Sequence, residues 1–283
     1  MFALEFVRNA YLAGTFIALA CGTIGWFVVL RGQVFAGDAL SHVAFVGAIG
    51  AAVLGLDERV GLFALTLLLA GAMAGLGRRA QADDVVIGTV FAWILGLGVL
   101  LLTVLAMSSA GASGITATNA LFGSIYSLTP SASLQDAAIA LLVTGFVLAV
   151  SRPLLLSTLD PDLATIRGVP VRLLGVAFLG ALAIITGEST QAVGALLLLG
   201  LIAAPAGAAH ALTARPYLGL LLSGLIAVGA MWGGLALSYA VSSLPPSSAI
   251  IGLAAVGYLT AAALSRRRRD QRPSGERRQQ QMS

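Results

Sequence analysis

The stretch Arg31-Gly32-Gln33-Val34-Phe35-Ala36-Gly37-Asp38-Ala39-Leu40-Ser41-His42 separates two apolar runs, one ending at Leu30 and the other continuing to Leu56. Asp38 and His42 are four residues apart, so on a helix they share one face, one turn above the other. The second run suffices for a span if its helix begins near Gly37, which predicts a segment from Gly37 to Leu56 with both polar groups in its first turns. A carboxylate and an imidazole there are costly unless they serve a partner, an ion or a water-filled path.

The rest of the chain has the same character. It has 283 residues, 58% of them hydrophobic and only 10% charged, with mean hydropathy +0.97. Apolar stretches of about 18 or more residues recur throughout, the mark of an all-α, polytopic helical membrane protein. Only Glu5 and Arg8 precede the first full-length run, so no cleavable signal is expected. All 16 basic residues are arginines. A phosphate-binding P-loop needs its lysine, so this chain is not expected to hydrolyse ATP on its own. Lone Cys21 excludes an intrachain disulfide and a CxxC metal site.

About nine spans are expected, with eight as the alternative if one segment is re-entrant. They run near Asn9–Leu30, Gly37–Leu56, Val60–Leu76, Val85–Met107, Leu134–Val150, Leu173–Thr186, Ala192–Leu212, Tyr217–Val241 and Ser248–Leu264. The polar stretch from Ser108 to Asn119 and the following Leu121–Pro130 read as a loop with a partly embedded segment. Arginines at Arg31, Arg78/Arg79, Arg152/Arg167/Arg172, Arg215 and Arg266 to Arg269 mark alternate span ends. The positive-inside rule then places the N-terminus outside and the C-terminus in the cytoplasm. Residues 1–265 form the expected transmembrane domain and 266–283 a basic, disordered tail attracted to the anionic inner leaflet. Small residues at Gly71/Gly75, Gly229/Gly233 and Ala44/Ala48/Ala52 read as general helix packing.

Several residues are candidates for chemistry. Asp38 and His42 suit a transient site for zinc, manganese or ferrous iron, since two ligands leave the coordination sphere open. The competing reading is a helix start, with Asp38 complementing the dipole and His42 bonded to a carbonyl. Ser41, one position off that face, is a weaker candidate. Asp83-Asp84 cap the fourth span or line an ion's exit. Glu188 reads as a solvated loop acid near the outer surface, or as a group that docks a partner or attracts cations along a metal path. His210 reads as a histidine near the headgroups. In the loop from Ser157 to Val169, Asp160 or Asp162 would cap a short helix over Leu163 to Arg167, with Gly168 as its stop. Such a helix is either a plain connector or a surface for a moving partner.

Taken together, these elements resemble the permease of the metal-uptake ABC transporters for zinc, manganese and iron. The matching stretches are the Arg31 end, Phe35 to His42, Asp84 to Gly88, Leu121-Phe122-Gly123 with Leu128-Thr129-Pro130, Pro161-Asp162-Leu163-Ala164 with Gly168-Val169, and Val193 to Leu197 leading to Pro205-Ala206. Ala36 is inserted after Phe35 relative to the family, and Ser124 stands where relatives often carry an acid. The resemblance implies a permease homodimer in a bacterial inner membrane, two cytoplasmic ATPases and an external metal-binding protein. It also implies that Asp38 and His42 contact the ion, and that Asp160, Asp162, Leu163, Ala164, Arg167 and Gly168 belong to the loop that couples to the ATPase. No permanently bound cofactor is expected; the metal is cargo, with zinc favoured. Two other functions are open: a permease for a metal chelate or vitamin, and an intramembrane hydrolase using His42 with Ser41 or a metal.

Overall fold

In the computed structural model, residues 4–76, 84–108, 123, 125–241 and 243–270 are described. Their regular structure is helical. In order these helices are α1 (Glu5–Leu30), α2 (Val34–Val53), α3 (Glu58–Leu76), α4 (Asp84–Ser108), α5 (Pro130–Ala149), α6 (Ser151–Leu159), α7 (Pro161–Ile166), α8 (Val171–Val193), α9 (Ala195–Leu212), α10 (Pro216–Ala240) and α11 (Pro246–Asp270). Among the described residues, eight stretches are long and apolar enough to cross a membrane, and a further apolar stretch, Leu198–Leu212, lies within the 18-residue α9. In lipid a helix satisfies its own backbone, which is why apolar runs of this length fold this way.

Local signals set the joints. Gly32 and Gly55 take positive φ in the turns after α1 and α2. Asp57 Oδ1 accepts from Arg59 N at 2.8 Å at the start of α3. Thr129 caps α5 by accepting from Ala132 N, with Pro130 opening the helix. The expected embedded segment before it appears as a 3-10 turn, Ile125–Ser127, with Ile125 buried and Tyr126 Oη donating to Leu235 O at 2.9 Å. Ser108's successors through Phe122 fall outside the described residues, as does Ser124.

The core is organised around α9. It packs against α1, α2, α8, α10 and α11, and Leu198, Leu201, Ile202, Ala206 and Ala209 are buried. Gly194, at φ +92, separates it from α8 by one residue. The register follows from side-chain neighbours. A Cβ on Gly37 would meet both Leu182 and Ile202, at 4.0 and 3.9 Å. Ser41 Oγ lies 3.1 Å from Ala195 O. Hence α8 rises alongside α2, and α9 returns.

Three expectations are corrected. The second helix starts at Val34, not near Gly37, because Gln33 already accepts backbone bonds from Ala36 and Gly37. The sixth span continues beyond Thr186 to Val193. Its polar end, Gly187-Glu188-Ser189-Thr190-Gln191, is helical and bonded to other elements, so hydropathy ended the span too early. The last helix runs through Asp270, past the expected span end at Leu264; residues 271–283 fall outside the described set.

The small-residue pattern also resolves. A Cβ on Gly71, Gly75 or Gly229 would meet nothing within 4 Å, so these are not close crossings within the described chain. Close approach occurs elsewhere, as at Gly22, where a Cβ would sit 2.6 Å from Ser223 O and 2.8 Å from Gly224 Cα. Gly22→Ala should therefore cost about 1–3 kcal/mol through overpacking, while Gly71→Ala should leave thermal unfolding in detergent unchanged.

Candidate functional site

Asp38 and His42 are the fifth and ninth residues of the 20-residue α2. At 1.5 Å per residue, His42 lies about 12 Å from the first residue of a helix about 30 Å long. The earlier start of α2 thus moves the pair from a helix mouth toward mid-span. His42 Nε2 is 4.0 Å from Asp38 Oδ1, and the two side chains remain 13% and 24% exposed. Phe91 of α4 packs edge-on against the imidazole, ring centroids 5.1 Å apart.

That separation suits a shared ion. Two bonds of about 2.1 Å meeting at one metal require donors about 3–4 Å apart. One hard oxygen and one imidazole nitrogen fit borderline and harder divalent ions. The pair supplies two ligands, so a chain with this site needs water or another protein surface to complete the sphere. Among the described residues no group of three or more His, Cys, Asp or Glu could hold a metal.

The other candidates are dispersed. Ser41 is fully buried, and its hydroxyl lies 2.7 Å from Asp38 O and 3.1 Å from Ala195 O. It has one proton to donate and ties α2 to the start of α9. Asp84 is the first residue of α4; its side chain and Asp83 lie outside the described set. His210 stacks on Trp26, centroids 4.9 Å apart, with Nε2 3.1 Å from Trp26 O.

Glu188 is not a solvated loop acid. It is fully buried within α8. Around it lies a polar network that sequence reasoning missed. Arg59 Nη2 donates to Asp136 Oδ1 at 2.6 Å, Nη1 to Gln135 Oε1 at 2.8 Å and Nε to Gln191 Oε1 at 3.3 Å. Asp136 is fully buried too, and Gln191, one turn after Glu188, shares the Arg59 guanidinium with it. The available signal was Arg59 itself, an arginine at the acidic span end, against the alternation of the other clusters.

The loop between α5 and α8 contains the short helix expected there, starting two residues earlier than Leu163. Asp160 Oδ1 accepts from Leu163 N at 2.9 Å, Pro161 opens α7, and Asp162 falls in the first turn. Gly168, at φ +77, ends it, with Gly168 N bonded to Thr165 O and Val169 N to Ala164 O. This is a Schellman stop following Arg167. Ala164 anchors the helix inward, while Ile166 is 82% exposed and Leu163 partly so. A groove of about 750 Å³, lined in part by Pro161, Thr165, Val169 and Leu173, runs beside it.

The model of the ABC 3 transport family matches residues 3–265. The manganese transport system membrane protein MntC of Halalkalibacterium halodurans is 28% identical over 230 residues, 81% of this chain and 75% of that one. The manganese transport system membrane protein MntD of Bacillus subtilis is 30% identical over 226 residues, 75% and 77% of the two chains. Among solved structures, PsaBC from Streptococcus pneumoniae in complex with Fab has a TM-score of 0.79 at 24% identity, with 91% of each chain covered. A metal-chelate type ABC transporter in an inward-facing conformation gives 0.65 at 18% identity, covering 92% of this chain and 85% of that one. These two structures share the fold.

Removing the cap with Asp160→Ala should destabilise α7 by about 1 kcal/mol. Amide exchange at Leu163 should then quicken selectively, leaving α8 protected.

Proposed function

The chain belongs to the ABC 3 transport family, and from that premise we propose that it is the permease of a bacterial importer for a divalent transition metal ion, with manganese ahead of zinc. It is a multi-pass permease of the bacterial cell membrane. The observation that carries the ion reading is the Asp38–His42 pair, 4.0 Å apart and part-exposed in the first half of α2. Ordinary burial of two such groups in lipid is expensive, whereas an ion passing them repays that cost transiently. The relatives' names speak of manganese, and carboxylate with imidazole serves manganese as well as zinc; the earlier preference for zinc has no comparable support.

In this proposal a second permease copy faces Asp38 and His42 and completes the coordination sphere. A separate ATPase supplies the energy, and an external binding protein delivers the ion. The N-terminus is outside and the C-terminus cytoplasmic, which puts α7 on the ATPase side. Asp160 and Gly168 shape that helix, Ala164 seats it, and Asp162, Leu163 and Arg167 present its contact surface together with exposed Ile166. Asp84, at the start of α4, is the candidate for the exit side. Ser41 stays beside the path as a helix tie. Glu188, fully buried in α8, is left out of the path in this reading. The permease's own work is differential affinity for the ion between outward and inward states.

The hydrolase alternative lacks its nucleophile geometry: the Ser41 hydroxyl is directed at two backbone carbonyls rather than at His42. Loss of manganese accumulation in cells carrying Asp38→Ala or His42→Ala, with membrane insertion and ATPase pairing retained, is the expected result. Native uptake by both variants would remove the ion site from α2. Reversing the charge with Asp162→Lys should weaken co-purification with the ATPase and reduce metal-stimulated ATP turnover.

A further inference from the structure

The network around Glu188 contains more negative charge than its hydrogen bonds account for. Asp136 and Glu188 are both fully buried, on α5 and α8. Arg59 from α3 is the cation, and its shortest contact is to Asp136 Oδ1. Gln191, one turn beyond Glu188, binds the same guanidinium. Among the described residues no donor reaches Asp136 Oδ2 or either oxygen of Glu188. Asp136 and Gln191 share the Arg59 guanidinium, and Glu188 lies one turn before Gln191, so both acids belong to one enclosed cluster. Two ionised carboxylates buried beside one guanidinium repel each other at low dielectric.

We propose that Asp136 and Glu188 form a buried proton-binding pair, in which Glu188 is a neutral acid donating its O–H to Asp136 Oδ2. Asp136 stays ionised against Arg59, so the enclosed set is neutral: one carboxylate, one guanidinium, one carboxylic acid. Asp136 Oδ2 and the donating oxygen of Glu188 are then partnered, and Arg59 already balances the one remaining negative charge. The charged groups acting on Glu188 are Asp136 and Arg59; α1 faces the next residue with the Cys21 thiol, 3.1 Å from Ser189 Oγ. Glu188 and Asp136 act as positioning residues here. The pair and its arginine bind α3, α5 and α8 together beyond the Asp38–His42 level, without using the cargo's charge.

Infrared spectroscopy of the purified full-length permease tests this. Native protein at neutral pH should show a deuterium-sensitive carboxylic acid C=O band that Glu188→Gln removes. Asp136→Asn should also remove it, because Glu188 would then ionise against the unpaired Arg59. Glu188→Gln preserves shape and the donated hydrogen bond, so it should accumulate manganese at the native rate. Absence of the band in native protein overturns the proposal, as does its persistence in both variants. Loss of uptake by a Glu188→Gln protein that inserts and pairs normally also overturns it, since that would show the carboxylate charge in use. Failure of the ion site on α2 would register separately, as native uptake by Asp38→Ala, with the infrared band unaffected.

Discussion

The bundle depends on one backbone position. Gly194 takes φ +92, a conformation that side chains rarely tolerate, and there the chain reverses between α8 and α9 without a loop. That reversal places Ala195 against Ser41 and Ile202 beside Gly37, and so fixes the level of α2 relative to the centre. A longer connection would let α9 slide, and the helices around it would lose their common register. Because helix association in lipid relies on close packing and polar ties rather than on hydrophobic burial, a rigid joint of this kind has large consequences.

Two ways of keeping acids inside an apolar bundle coexist in this molecule. Asp38 and His42 are left partly open, 4.0 Å apart, with an aromatic ring on one side and few bonds of their own. Asp136 and Glu188 are enclosed, with a guanidinium held on three sides by Gln135, Asp136 and Gln191. The first arrangement leaves coordination unsatisfied and suits a ligand that comes and goes. The second is closed off from solvent, and its arginine joins helices. Residue type does not distinguish them; surroundings do.

The short helix α7 shows the opposite case, where local chemistry was enough. Asp160, Pro161 and Gly168 are cap, opener and stop, and the helix forms between them. Its exposed Ile166 beside a groove is the kind of surface left for a partner.

Sequence alone determined the class of this protein, an all-α membrane protein of many spans, because helix length and apolar runs are local properties. It also determined the spacing of Asp38 and His42, since four residues on a helix always share a face. Tertiary structure decided which polar groups are alone. Hydropathy averages over neighbours in the chain, so Gly187 to Gln191 looked like a loop; their partners are Arg59 and Cys21, far away in sequence. The same holds for the small residues: Gly71 and Gly22 read alike, but only Gly22 has another helix's backbone against it. Pairings between distant segments depend on how the helices are docked, and that follows from the joint at Gly194 and the crossings it imposes.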